Sequence, residues 1–215
     1  TVVVPNPDLK PEKSLNYEAG SSFKADGVFG SDDHLFAKAV FFYDDVKDFI
    51  APKGWFEPTT PPTVYYSSQN VGHVVRKGIE LSGTYAAGQF STSVSYGLLH
   101  AVDKETNERM NGITPQSANL KLAYAFPAQA INVWYRAHWS KGGESSVEDR
   151  ATGKNLHFSS FLTHSLGAEW SPKVADLANL QAGIAVVNLF DKEYRMLNGS
   201  YGSGRGVRLW LSAQF

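Results

Sequence analysis

The sequence predicts an all-β protein, an antiparallel transmembrane β-barrel segment of about nine strands. Three observations predict it. Apolar and polar side chains alternate over runs of about ten residues, the length a tilted strand needs to cross a bilayer. The connections between runs alternate strictly: short near 27–32, 87–89, 127–128 and 172–178, long near 51–63, 102–114, 141–157 and 191–203. Aromatics gather at run ends, where Phe126, Trp139, Phe158, Phe161, Trp170 and Phe190 have the placement of interfacial girdles. A soluble β-sandwich binding module would also alternate. The long runs and the ordered connections count against it.

The bulk numbers exclude other classes. The chain has 215 residues, a net charge of -1 and no cysteine. The near-neutral charge gives no electrostatic case for nucleic acid as a partner. Without cysteine there is no disulfide framework and no thiolate metal site. No window approaches the roughly 20 apolar residues of a membrane helix, which leaves a barrel open because its strands are apolar only at alternate positions. Thr1-Val2-Val3-Val4 has no initiating Met and no basic n-region, so it is not a signal peptide, and the chain is expected to start within a longer protein.

Taken in order, residues 1–13 are extended and punctuated by Pro5, Pro7 and Pro11, which each remove a backbone donor. The first strand sets Leu15, Tyr17, Ala19 and Phe23 against Asn16, Glu18 and Lys24. After a Gly- and Asp-rich turn, Leu35, Ala37, Ala39, Phe41 and Tyr43 form the apolar face of the second, while Phe36 and Phe42 on its other face have no assigned environment. Pro52, Gly54, Pro58, Pro61 and Pro62 then predict a long irregular loop. The stretch 64–86 reads as one unusually long strand whose apolar parity is broken by Lys77, acceptable above the hydrocarbon or at a bulge.

Five further strands alternate in the same way. Phe90, Val94 and Leu98 oppose Ser91 and Ser95; Leu120, Leu122 and Tyr124 oppose Asn119 and Lys121. Ile131, Val133, Tyr135 and Trp139 oppose Asn132, Trp134, Arg136 and His138; Leu162, Leu166 and Trp170 oppose Thr163, Ser165 and Glu169. Leu180, Ala182, Ile184 and Val186 oppose Gln181 and Gly183. In the final strand Val207, Leu209, Leu211, Ala213 and Phe215 fall on one face, and Arg208, Trp210, Ser212 and Gln214 on the other. The long-loop rim is the extracellular one, so the chain is expected to end at the periplasmic rim.

Two motifs narrow the reading. The first is Asn6-Pro7-Asp8-Leu9-Lys10-Pro11-Glu12 with Asn16-Tyr17-Glu18; the second is Asn188-Leu189-Phe190-Asp191-Lys192-Glu193-Tyr194 with Gly204-Arg205-Gly206 and the terminal Phe215. Between them stand Asn70-Val71-Gly72 and Lys77-Gly78-Ile79-Glu80. Together they resemble the C-terminal part of the TonB-dependent outer-membrane receptors. Asp33-His34-Leu35, Phe41-Phe42-Tyr43 and Val46-Lys47-Asp48-Phe49-Ile50 look most like the haem and haemoglobin receptors of that family. The resemblance implies roughly nine strands of a roughly 22-stranded barrel with a plugged lumen, in the outer membrane of a Gram-negative bacterium. The plug and the earlier strands would be absent from residues 1–215. It further implies uptake of haem, or of haem from a carrier protein, powered by the TonB complex through the missing N-terminal region, with Phe215 as an assembly signal. A ferric-siderophore receptor is the alternative within the family, and a small autonomous structural or adhesive membrane barrel the alternative outside it.

No catalytic constellation is present: there is no nucleophile elbow, no paired zinc histidines and no phosphate loop, so the expected chemistry is binding and transport rather than enzymatic. No metal site is expected, and haem would be a transported ligand rather than a covalently held cofactor. His100 and His157, on the extracellular side, are the candidate ligand contacts, joined by the loop aromatics Trp55, Phe56 and Tyr201. The competing reading is that each is an ordinary rim residue. In the family the extracellular haem-binding histidine precedes the Asn-Pro-x-Leu segment, so that ligand is expected upstream of Thr1.

Overall fold

The computed structural model describes residues 2–57, 63–70, 72–148, 154–173 and 179–214. Its strands are β1 (Val2–Val3), β2 (Lys13–Asp26), β3 (Asp33–Lys47), β4 (Ile50–Glu57), β5 (Thr63–Asn70), β6 (Val74–Ala87), β7 (Phe90–Asp103) and β8 (Gln116–Phe126). They continue as β9 (Ile131–Ser140), β10 (Gly143–Glu148), β11 (Asn155–Phe158), β12 (Phe161–Trp170), β13 (Asn179–Val187) and β14 (Gly206–Gln214). Nine of them form one sheet in the order β14-β13-β12-β9-β8-β7-β6-β3-β2. Each strand there lies beside the next member of the sheet along the chain, an antiparallel meander. Phe215, assigned to the periplasmic rim by sequence, lies outside the described residues.

Two of the long connections differ from expectation. The segment read as an irregular loop contains β4, which pairs with β5 from Ile50↔Asn70 to Glu57↔Thr63, and β1 runs parallel to β5 on its other side. Pro52 lies inside β4, where proline by itself signals a loop. β4 is an edge of this three-stranded sheet, and an edge strand tolerates a residue with no donor. The connection at 141–157 likewise contains the hairpin β10–β11, paired from Gly143↔Phe158 to Glu148↔Asn155. The single long strand expected over 64–86 is two strands, β5 and β6. The chain turns between them at Gly72, whose φ of 81° suits glycine and whose missing side chain leaves room for the Glu105 carboxylate.

The alternation resolves into two faces. Leu15, Tyr17, Phe23, Phe41, Leu81, Val94, Tyr124, Leu162, Leu166, Ile184, Leu209 and Leu211 are all exposed large apolar residues, and all fall on the parity assigned to lipid. The opposite face is packed where small and large residues meet. Ala123, Trp134 and Ala185 are buried together with Trp210 against them. Trp134 is directly across from Gly167, and Trp210 directly across from Gly183; in each pair the indole occupies the space a glycine side chain would fill. The Lys24 ammonium lies 5.8 Å from the Phe36 ring, which gives that half-buried aromatic its environment, and the Arg136 guanidinium lies 5.3 Å from Trp134.

The chain forms two compact units. One comprises Thr1–Ala19, Phe42–Gly78 and His100–Met110, the other Gly20–Phe41, Ile79–Leu99 and Asn111–Phe215. In the first, Val46, Val74, Val75 and Ala101 are buried, and Asp44, also buried, takes the Arg76 guanidinium with Nε–Oδ2 at 2.9 Å. In the second, the Asp33 carboxylate closes the 27–32 turn by accepting the N–H groups of Val28, Phe29 and Gly30 at 2.7, 2.7 and 2.9 Å. A short 3-10 turn, Pro127–Gln129, joins β8 to β9 and ends at Ala130 in the left-handed region.

Candidate functional site

The second unit holds a polar cavity of about 720 Å³ where the end of β11 and the start of β12 meet the 191–204 loop. That volume is in the range of small-molecule sites. His157 and Tyr201, two of the residues selected from sequence, both line it. Its remaining character comes from residues the sequence reading did not select as contacts. Phe161 and Tyr194 stack with ring centroids 4.1 Å apart and an interplanar angle of 27°. The Arg195 guanidinium lies 4.0 Å from the Tyr201 ring and 5.6 Å from the Phe158 ring. A planar cation against two aromatic rings is held by electrostatics and contact area; the Arg195 Nη2 also donates to the Tyr201 hydroxyl, and the other edge donors remain usable.

The local chain geometry explains this assembly. Tyr194 and Gly202 are bridged by a backbone bond from the Gly202 N–H to the Tyr194 carbonyl at 2.9 Å, and the Tyr194 ring covers the face of Gly202. Arg195 and Tyr201 form an antiparallel bridge one step further out. The turn closes at Gly199, with φ 87° and its N–H on the Met196 carbonyl at 2.8 Å. The loop is therefore a small hairpin that presents Tyr201, 72% exposed, beside the cavity. On the other wall the His157 Nδ1 lies 3.1 Å from Glu144 Oε1, across the β10–β11 pair. A carboxylate at Nδ1 favours the proton there and leaves Nε2 with its lone pair, the arrangement by which histidine ligates metals.

His100 is in the first unit and does not line this cavity. Its Nδ1 accepts from Arg109 Nη2 at 2.8 Å. Trp55 and Phe56 lie on β4, across from Tyr65 and Val64, and their side chains lie outside the described residues.

The motif residues are structural staples. Asn188, 5% exposed and at φ 49°, accepts the Lys192 N–H and donates to the Lys192 and Ser203 carbonyls, each at 2.9 Å. Asp191, at φ 52°, accepts the Arg205 N–H at 2.7 Å. Asn and Asp tolerate this backbone better than other side chains. These bonds fix how the chain leaves β13 and re-enters β14. Phe190 stays 70% exposed, edge-on to His164 at 4.9 Å, and Leu189 donates its N–H to the His164 carbonyl at 2.7 Å. At the other end of the chain, Asn6 donates to the Ser68 carbonyl at 2.9 Å and accepts from the Asp8 N–H at 3.1 Å, while Pro7 and Leu9 carry the strap between these anchors.

A sequence profile for the family described as "TonB dependent receptor-like, beta-barrel" matches residues 1–189. The chain belongs to the TonB-dependent receptor β-barrel family. Members of this family are Gram-negative outer-membrane proteins, and the strand-built chain is one of them. Among its relatives, it is 25% identical over 210 residues to a "Heme/hemopexin utilization protein C" of Haemophilus influenzae (strain 86-028NP), covering 96% of this chain and 29% of that one. It is 24% identical over 215 residues to a "Hemin receptor" of Yersinia pestis, covering 99% and 30%. Among solved structures, a "Copper transporter OprC" superposes with a TM-score of 0.72 at 19% identity, covering 95% of this chain and 31% of the other. The FrpB iron transporter from Neisseria meningitidis (F3-3 variant) gives 0.68 at 21% identity, covering 97% and 31%. These structures share the TonB-dependent receptor fold. The chain thus spans under a third of the length of the relatives it matches.

Proposed function

We propose that this TonB-dependent receptor chain is the C-terminal part of a barrel that takes up haem, or haem from a carrier protein, across the outer membrane. Supporting this, the nine-stranded sheet has β2 and β14 as its edges, and unpaired strand edges are not stable in lipid, so further strands must complete the barrel. The plug and the TonB-interacting segment belong to that remainder, and the action is capture and passage rather than catalysis. The observation that carries the haem reading is the cavity shared by His157 and Tyr201. It offers aromatic faces to a planar ligand and Arg195 and Lys192 to carboxylates, and two curated relatives are named for haem or hemin.

The test is ligand titration of the full-length receptor in detergent, following the haem Soret band and competing with ferric siderophores. Haem should bind, and Tyr201→Ala or Arg195→Ala should weaken it about tenfold, as loss of an aromatic or charged anchor does. Tight siderophore binding with no haem binding would replace this reading by the siderophore one.

A further inference from the structure

We infer that Lys121 and Arg136 form a second binding site, on the lumen wall below the first cavity, for the carboxylates of the transported ligand; the inference rests on the haem reading above. Every residue of the site belongs to the second compact unit. Lys121 on β8 and Arg136 on β9 are directly across from each other, on the parity that faces the lumen. Like charges in register on one face repel, because their Cβ atoms stand only about 5 Å apart. Neither cation enters an ion pair among the described residues. The strands around them supply no counter-charge either. β8 and β9 contain no Asp or Glu, and neither does β7 from Phe90 to Ala101. On β12 the one carboxylate, Glu169, stands four residues past Ser165, the partner of Arg136, roughly 13 Å along the strand. Glu80 on β6 lines a different cavity, with Lys38.

An anion is what this pair lacks, and its surroundings suit one. The two cations line a cavity of about 460 Å³ together with the hydroxyl residues Ser82, Thr84, Ser93 and Ser95. Ser93 is directly across from Lys121, so the row Ser93, Lys121, Arg136, Ser165 sets two cations between two hydroxyls. Ammonium, guanidinium and hydroxyl groups together are a donor set that holds a carboxylate. The Arg136 guanidinium lies 5.3 Å from the buried Trp134 ring, which braces it and leaves its edge donors usable. The row one pair nearer the extracellular end is already satisfied. There His138 Nδ1 donates to Asn119 Oδ1 at 2.8 Å, and Asn119 Nδ2 to Ser95 Oγ at 3.1 Å. Those polar groups are spent on each other; those of Lys121 and Arg136 are not.

Continuity with the first cavity makes the ligand the source of the carboxylate. Phe161 lines that cavity and stacks on Tyr194, and its ring lies 5.8 Å from the His138 ring. His138 in turn holds Asn119, which lines the second cavity beside Arg136. Four residues of β12 separate Phe161 from Ser165, roughly 13 Å. A carboxylate leaving Arg195 and Lys192 in the first cavity therefore meets Lys121 and Arg136 one such step further down the wall.

The experiment uses the full-length receptor, with haem and its dimethyl ester, in which both carboxylates are capped, as probes. Binding is read from the Soret band in detergent, and uptake as an initial rate in TonB-competent cells with no other haem receptor. The double variant K121Q/R136Q should bind haem within about twofold of wild type, because the first cavity is intact, yet take it up about tenfold more slowly, the effect of losing a charged hydrogen-bonded anchor. K121R/R136K, which keeps both charges, should stay within about threefold of wild type. The dimethyl ester should enter at the same rate through wild type and K121Q/R136Q. Equal uptake of haem by the two overturns the proposal. Equal slowing of haem and its dimethyl ester also overturns it, since the carboxylate at the site would then be a side chain of the receptor itself. Failure of the wild type to bind haem overturns the haem reading and this site with it, whereas normal binding with unchanged uptake overturns the site alone. Should K121Q/R136Q lose the heat-modifiable mobility of a folded barrel, R136Q alone decides, about threefold slower uptake supporting the site and unchanged uptake overturning it.

Discussion

The side chain of Asn70 holds both backbone groups of Lys10, sixty positions away: its Oδ1 accepts the Lys10 N–H at 2.8 Å and its Nδ2 donates to the Lys10 carbonyl at 2.9 Å. The same Nδ2 reaches the Asp48 carbonyl at 2.6 Å, and Glu12 accepts the Ile50 N–H at 2.6 Å. The N-terminal motif and the Asn70-Val71-Gly72 motif are thus one hydrogen-bonded assembly in the first unit. The carboxamide acts as a missing strand would, offering a donor and an acceptor to an extended segment.

Replacing Asn70 by alanine should free the Lys10 amide. Hydrogen exchange at Lys10 in the full-length receptor should accelerate about tenfold or more, the equivalent of one net hydrogen bond, while amides of β12 and β13 keep their protection. An unchanged Lys10 amide would show that the segment is held by something other than this side chain.

The lumen-side Trp–Gly pairs give a steric prediction. Gly183 lies under the Trp210 indole and Gly167 under that of Trp134, and neither leaves space for a methyl group. Gly183→Ala and Gly167→Ala should each destabilise the barrel by about 1–3 kcal/mol, the usual cost of overpacking. Gly88→Ala is not a fair control, since its φ of 55° adds backbone strain; Gly97→Ala is, because the nearest atom to its added methyl, Ser117 Oγ, is 3.7 Å away. Urea midpoints of the three variants should separate Gly97→Ala, near wild type, from the other two.

What the sequence shows and hides follows from range. The lipid face was legible because alternation is local: Leu209 and Leu211, each 75% exposed, could be assigned from their neighbours alone. The nine sheet strands follow from the same signal. The β4–β5 pair was not legible, because Pro52 reads as a loop residue until the strand is known to be an edge. The cavity was only half legible. His157 and Tyr201 stood out by type, but Arg195 gains its meaning only from the Phe158 and Tyr201 rings that the fold brings to it. The motif residues drew attention as markers of resemblance, and Asn188 and Asp191 prove to be turn-formers whose bonds close the loop around that cavity.

That role of Asn188 separates backbone strain from hydrogen bonding. Asn188→Ala removes three bonds and places alanine in the left-handed region; Asn188→Gly removes the bonds alone. The alanine variant should lose about 2–4 kcal/mol, with the glycine variant about 1 kcal/mol better. Equal losses in thermal unfolding would mean that the backbone at 188 relaxes and that the strain argument fails.

The last strand offers the sharpest test of which face meets lipid. Leu211 and Ser212 are adjacent in β14 and both exposed in this chain, so exposure alone does not distinguish them. Their parity does. Leu211 pairs with Ala182 on the lipid side, Ser212 with Gln181 on the lumen side. Arginine at a lipid-facing position near the membrane midplane costs about 2–4 kcal/mol and near the interface about 0–1, whereas a lumen position is hydrated. Leu211 stands four residues before Phe215, the residue assigned to the periplasmic rim, so an intermediate loss of about 1–3 kcal/mol is expected for Leu211→Arg, and less than 1 for Ser212→Arg. Refolding of the full-length receptor into lipid vesicles, followed by urea titration, measures both. If Ser212→Arg proved the more damaging, the two faces of β14 would have to be exchanged, and with them the assignment of every strand paired to it.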